Sequence, residues 1–196
     1  MKHLLILKAS NDICASELDH LRNIAEMFGM KHCTFDMKAV DDFKKSPCAK
    51  GKYDYIYLAA HADPDFFGTA DGTVSIQWGE FASALCEVDC LNAECILLLG
   101  CCRGGLKGVS QMLFVSCDRI DYVCGPRWTV ASHDITAGFH VFVYNMEVRK
   151  EQPSSAAKRA SSATGYDFFC YDRVEFEDEY RTFLAAIQQN QGGATA

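Results

Sequence analysis

Cys101 and Cys102 stand between an apolar run, Cys95-Ile96-Leu97-Leu98-Leu99-Gly100, and a turn, Arg103-Gly104-Gly105. The run lacks polar alternation, so it reads as a strand covered on both faces, as in the middle of a parallel sheet. A thiol at the carboxyl end of such a strand lies where open α/β sheets bind their ligands. The amino end of a following helix favours its thiolate. These features suit a cysteine nucleophile. A base is offered by a second strand-like run, Tyr53-Asp54-Tyr55-Ile56-Tyr57-Leu58-Ala59-Ala60, which ends in His61. Two such strands lying side by side and parallel bring both ends to one edge, and a Cys/His dyad needs only a thiol within reach of an imidazole. If the strand persists, Cys101 and Cys102 point to opposite faces and only one can meet His61. The plainer alternatives are a buried structural thiol and a strand-end histidine bonded to a backbone carbonyl.

The surrounding pattern supplies elements to hold these residues. Strands are expected over 3–8, 31–37, 53–61, 94–101 and 121–124, with an edge strand inside 166–176. Helices are expected from a Ser16 cap to Gly29, over 40–45, 78–88, 107–117, 135–150 and 155–164, and finally over 177–189. In the first helix Glu17 and Asp19 read as first-turn acids beneath an apolar face of Leu18, Leu21, Ala25 and Phe28. A small hairpin falls at 71–77. Short apolar strands alternating with helices mean an α/β, mostly parallel sheet. No linker or repeat interrupts the order, so one domain is expected over 1–190 with a disordered tail at 191–196.

At the cysteine pair the chain resembles the caspase-like cysteine proteases. Their signature is Gln-Ala-Cys-(Arg/Gln/Gly)-Gly, with a histidine about 50 residues upstream. Gly100-Cys101-Cys102-Arg103-Gly104 aligns on it and makes Cys102 the nucleophile, with His61 lying 41 residues before it. Asp121-Tyr122-Val123-Cys124-Gly125-Pro126-Arg127-Trp128-Thr129-Val130 is similar to a segment of the CHAT branch, and the resemblance runs over about 3–165. It implies a single-domain, three-layer α/β/α sandwich and a cysteine endopeptidase. His61 would be the base, and the backbone N–H groups of Cys102 and Ala62 would hold the oxyanion. Gly100, Asp63, Asp65, Arg127 and Trp128 would border the substrate pocket. Two positions depart from the pattern: Gly100 replaces the usual Gln, and Ala62 replaces the glycine after the histidine. The interval 103–120 leaves no room for an activation linker, which suggests a single uncut chain.

Composition narrows the choice. The 196 residues carry a net charge of −7 and no long basic cluster, which argues against nucleic-acid or anionic-membrane binding. The apolar start is too short for a signal-peptide core or a span, so a cytoplasmic location is expected. Eleven cysteines without a C-x-x-C pair read as free thiols rather than a disulfide framework or zinc site; Cys86, Cys90 and Cys95 are loosely spaced. Acyl transfer to a thiol needs no metal or organic cofactor. The expected partner is a peptide or protein substrate. The resemblance also suggests a trigger, either another chain or a small molecule, and a role in bacterial antiviral defence. The alternatives are a catalytically silent caspase-like domain binding a partner or signalling ligand in the same cleft, and a flavodoxin-like ligand-binding domain.

Overall fold

A computed structural model describes residues 1–192. The chain forms β1 (His3–Lys8), α1 (Ala15–Met27), β2 (Lys31–Asp36), α2 (Val40–Lys45), a 3₁₀ turn (Pro47–Lys50) and β3 (Tyr53–Ala59). Three short strands follow, β4 (His61–Ala62), β5 (Phe66–Gly68) and β6 (Ser75–Gln77). Then come α3 (Trp78–Glu87), β7 (Leu91–Gly100), α4 (Lys107–Ser116), β8 (Tyr122–Pro126), α5 (Ser132–Glu147), α6 (Pro153–Thr164), β9 (Phe168–Asp172) and α7 (Arg173–Gly192).

Six strands make one sheet in the order β2-β1-β3-β7-β8-β9. The first five are parallel, and β9 runs antiparallel to β8 at the edge. Strand alternation sorts the core into two layers. Leu5, Leu7, Ile56, Leu58, Leu97 and Leu99 face α2, α3 and α4. Leu4, Ile6, Tyr55, Tyr57, Ile96 and Leu98 face α1, α5 and α6. Leu4 to Leu7 are wholly buried, and each contributes about 2 kcal/mol from apolar burial. The result is a mixed α/β fold with helices on both faces of a mostly parallel sheet.

Several boundaries differ from the sequence expectation. β3 stops at Ala59, and His61 opens a separate antiparallel sheet, β4-β5-β6. Phe67 in β5 is buried against Trp78 and Phe81 of α3, with ring centroids 4.8 and 5.2 Å away. Trp78 Nε1 donates to Asp63 O at 3.2 Å. This small sheet is therefore fixed to the core, and His61 rides on it. α1 starts one residue before Ser16 and is preceded by Cys14, with no side-chain cap. α5 starts at Ser132 rather than 135. Residues 173–176, expected within an edge strand, begin α7. That helix reaches Gly192, two residues into the expected tail, and 193–196 lie outside the described residues.

The all-thiol expectation is also corrected. Cys33 on β2 is bonded to Cys48 in the 3₁₀ turn, and the other nine cysteines are free. The bridge joins an edge strand to the turn beneath it, a proximity that the 15-residue spacing does not announce. Among the described residues, no helix is long and apolar enough to cross a membrane.

Candidate active site

β3 and β7 are parallel neighbours in a register that pairs Ala59 with Gly100. His61 and Cys102 each lie two residues beyond that last pair. Both therefore leave the carboxyl edge of the sheet at equivalent positions on adjacent strands. Cys101 is directed into the layer formed with α3 and α4 and is 1% exposed, and burial pushes its thiol pKa up. Cys102 is half-buried. Of the two thiols, Cys102 is the one open to a ligand.

Arg103, Gly104 and Gly105 give their N–H groups to Trp128 O, Cys101 O and Pro126 O at 3.3, 3.2 and 2.8 Å. Arg103 holds φ at +62°, a left-handed conformation that costs a non-glycine residue energy. This turn leaves the N–H of Cys102 itself without an acceptor among the described residues. On the other strand, Asp63 N–H donates to Phe66 O at 2.9 Å, which makes 63 and 66 a hydrogen-bonded pair. In an antiparallel ladder such pairs alternate, so the Ala62 N–H, in the pair with Phe67, faces away from β5. Both N–H groups expected at an oxyanion hole are thus left unspent by the fold.

His61 does not bond to Cys102 here. Its Nε2 lies 2.9 Å from Asp12 Oδ2, while the Cys102 thiol donates to Val130 O at 3.9 Å. Asp12 also accepts from the Ser10 hydroxyl. The Ser10 bond, and then the His61 bond, hold the Asp12 carboxyl below its usual range. Asp12 was not legible as a site residue: it lies in the loop after β1 and 49 residues from His61.

The remaining expected pocket residues divide. Gly100 is required by its neighbour, because a Cβ there would stand 2.1 Å from Tyr57 Cζ. The missing glutamine side chain therefore has its space filled by a tyrosine ring. Asp63 accepts from the N–H groups of Asp65 and Phe66, both at 2.8 Å, so its carboxylate closes the β4–β5 turn. Asp65 is exposed at the tip of that turn. Trp128 is 58% exposed, is tied by Nε1 to Asp167 Oδ2 at 3.2 Å, and stands beside the Arg127 guanidinium, which also covers Phe169. His133 is exposed and beside Asp134.

A buried carboxylate was missed. Glu17, read only as a first-turn acid of the helix, is 4% exposed. Its Oε1 accepts from Tyr57 OH at 3.1 Å and its Oε2 from the Ser132 hydroxyl. Burial raises its carboxyl above the usual range, against the opposing effect of the two hydroxyls.

The concavities differ in character. Tyr57, Gly100, Gly125, Ile135, Phe139 and Phe168 border an apolar cavity of about 20 Å³. A hollow of about 280 Å³ lies along His61, Ala62 and the β4–β6 hairpin. Another of about 190 Å³ lies between Ser10–Asp12 and Thr69–Asp71. Three metal-ligand types, Cys86, Cys117 and Asp118, come within 4.8 Å of one another. They sit at the opposite, amino edge of the sheet, and burial pushes Cys117 up to about 12. No protein-family model matches the chain, and no curated protein matches it.

Proposed function

We propose that the chain is a cysteine endopeptidase of caspase-like fold, with Cys102 as nucleophile and His61 as base. The observation that carries this reading is the Ala59–Gly100 register, which sends a thiol and an imidazole out of one sheet edge from adjacent strands. Catalytic hydrogen bonds are often long or misdirected before substrate binds. For the dyad to form, the Cys102 thiol must leave Val130 O and come within reach of His61.

His61 takes the Cys102 proton, and the sulfur attacks the scissile carbonyl carbon. With Nε2–H donated to Asp12, Nδ1 is the nitrogen left to accept that proton. The negative oxygen of the tetrahedral intermediate is held by the Cys102 and Ala62 N–H groups; one such donor supplies about 3 kcal/mol in related chemistry. The C–N bond breaks as His61 protonates the leaving amine. Water, giving a proton to His61, then attacks the thioester, releasing the carboxylate product and the thiol. The substrate is a peptide or protein. A trigger that opens the narrow space beside Gly100, and a defence role for the triggered enzyme, complete the proposal.

A second reading rests on the same geometry: a silent domain that binds a partner or small ligand at this edge. The observation favouring it is that the thiol and imidazole are each bonded elsewhere. Alkylation with iodoacetamide near neutral pH, with each cysteine followed by peptide mass spectrometry, separates the two. The protease reading expects one fast thiol, absent in Cys102→Ala, retained in Cys101→Ala and slowed in His61→Ala. Uniformly slow labelling supports the silent domain.

A further inference from the structure

Three metal-ligating side chains converge at the edge of the sheet opposite Cys102. Cys86 lies in the last turn of α3, Cys117 ends α4, and Asp118 follows it. Their sulfur and oxygen atoms all lie within 4.8 Å of one another, and Cys86 Sγ donates to Asp118 Oδ1 at 3.6 Å. A tetrahedral zinc ion, with bonds of about 2.3 Å to sulfur and about 2.0 Å to oxygen, sets a sulfur and an oxygen ligand about 3.5 Å apart and two sulfurs about 3.8 Å apart. The cluster already has nearly those dimensions. Cys86 and Asp118 stand 32 residues apart in the chain, which is why no sequence pattern marks them.

The surroundings hold the cluster in place and leave its carboxylate unmatched. The Arg173 guanidinium donates to the carbonyls of Phe114, Cys117 and Ile120, which pins the turn that carries Cys117 and Asp118. Gly79 lets α3 approach α4 closely, since a Cβ there would stand 3.0 Å from Ser116 Oγ. Cys117 is buried, Cys86 half-buried and Asp118 exposed, so the cluster is anchored on one side and open to water on the other. Among the described residues Asp118 pairs with no cation. Arg119 beside it is engaged by Asp89 and by Leu91 O. The carboxylate's partner is instead the Cys86 thiol, and a thiol is a weak donor.

We propose that Cys86, Cys117 and Asp118 are a zinc site, binding the ion through two thiolates and one carboxylate oxygen, with water in the fourth position. Binding releases the two thiol protons to solvent and changes no oxidation state. Thiolates select zinc over magnesium and calcium, which prefer oxygen ligands. The ion ties the end of α3 to the end of α4, just before β7 and β8 begin. It stands apart from Cys102 and His61, and the inference does not depend on their role.

The test is a cobalt(II) titration of the full chain, freed of metal by chelation and kept under argon without reductant, so that the Cys33–Cys48 bridge stays closed. Cobalt in a tetrahedral thiolate site gives intense visible bands and a sulfur-to-metal charge-transfer band in the near ultraviolet. A single equivalent is expected to give both, and zinc, which such ligands hold more tightly, should abolish them. Cys86→Ser is expected to weaken cobalt binding about a hundredfold and Asp118→Asn about tenfold, while Cys102→Ala and His61→Ala leave it unchanged. Absence of the thiolate band, saturation only above about 1 mM cobalt, or binding unaltered in Cys86→Ser or Asp118→Asn each overturns the proposal. So does a band lost in Cys102→Ala, which would put the metal at the candidate dyad. Cys117→Ser, at a buried position, should also remove the band; if it does not fold, the other two variants decide.

Discussion

Asp12 Oδ2 stands 2.9 Å from His61 Nε2, and this contact leaves Nδ1 as the ring nitrogen not engaged by Asp12. The loop after β1 thereby reaches across to the hairpin after β3, with Ser10 bracing the carboxylate from behind. A ring held at one nitrogen keeps its tautomer and orientation, which is what a general base requires.

Replacing Asp12 by Asn is therefore expected to leave the fold intact, since both partners are largely solvated, and to slow Cys102. The amide can present N–H where the ring needs an acceptor. Alkylation of Cys102 should fall by about tenfold to a hundredfold, with the unfolding midpoint little changed. Because the Ser10 and His61 bonds lower the Asp12 carboxyl, it stays ionised to a lower pH than a free aspartate. The orienting bond should then persist through mildly acid solution, and the pH profile of Cys102 alkylation should not break in the ordinary carboxylate range. A break there that disappears in Asp12→Asn would contradict this account.

Gly100→Ala tests the packing that accounts for the departure at this position. A Cβ would lie 2.1 Å from Tyr57 Cζ and 2.2 Å from its hydroxyl, so strand β3 or the ring must move. The expected loss is about 1–3 kcal/mol of stability, measured by urea unfolding. Adding Tyr57→Leu should recover part of it, so that the double variant is less destabilised than the sum of the two singles. Strict additivity would show that the ring is not what excludes a side chain.

The sheet was legible because its strands are uninterrupted apolar runs; the period of a strand put Cys101 and Cys102 on opposite faces, and the resemblance at Arg103-Gly104 was what chose Cys102 for the edge. What the sequence hid depended on contacts between distant segments. Asp12 belongs to a loop with no pattern of its own. Glu17 sits where acids commonly complement a helix dipole in solvent, and only the packing of α1 and α5 over Tyr57 buries it. His61 looked like the last residue of a strand, yet the chain breaks at Ala60 and restarts as a hairpin anchored by Phe67 and Trp78. Cysteine spacing likewise gave no sign that Cys33 meets Cys48, since pairing depends on how β2 lies over the 3₁₀ turn.

That bridge makes a quantitative expectation. It closes a loop with a sequence separation of 15, for which the loss of chain entropy in the unfolded state corresponds to about 3 kcal/mol. Reduction, or Cys33→Ser with Cys48→Ser, should lower stability by that order without changing the alkylation rate of Cys102, because the bridge lies on the β2 side of the sheet. An unchanged denaturation midpoint after reduction would show that the bridge does not constrain the unfolded chain as described.

Glu17 gives the fold a pH dependence of definite sign. Its carboxyl is raised in the folded protein, mainly by burial, so between the unfolded and the folded pKa the native state holds more protons than the unfolded chain. Stability contributed by this group is complete below the unfolded value and falls as pH rises through the interval, reaching a constant lower level above the folded value. Asp12, shifted the other way, contributes in the opposite sense, so the difference between wild type and Glu17→Gln is the quantity to measure. Glutamine keeps the shape without titrating. The variant's stability relative to wild type should therefore increase between about pH 4 and the raised pKa, then level off. Urea midpoints taken across that range would refute the assignment if the difference were flat or fell with rising pH.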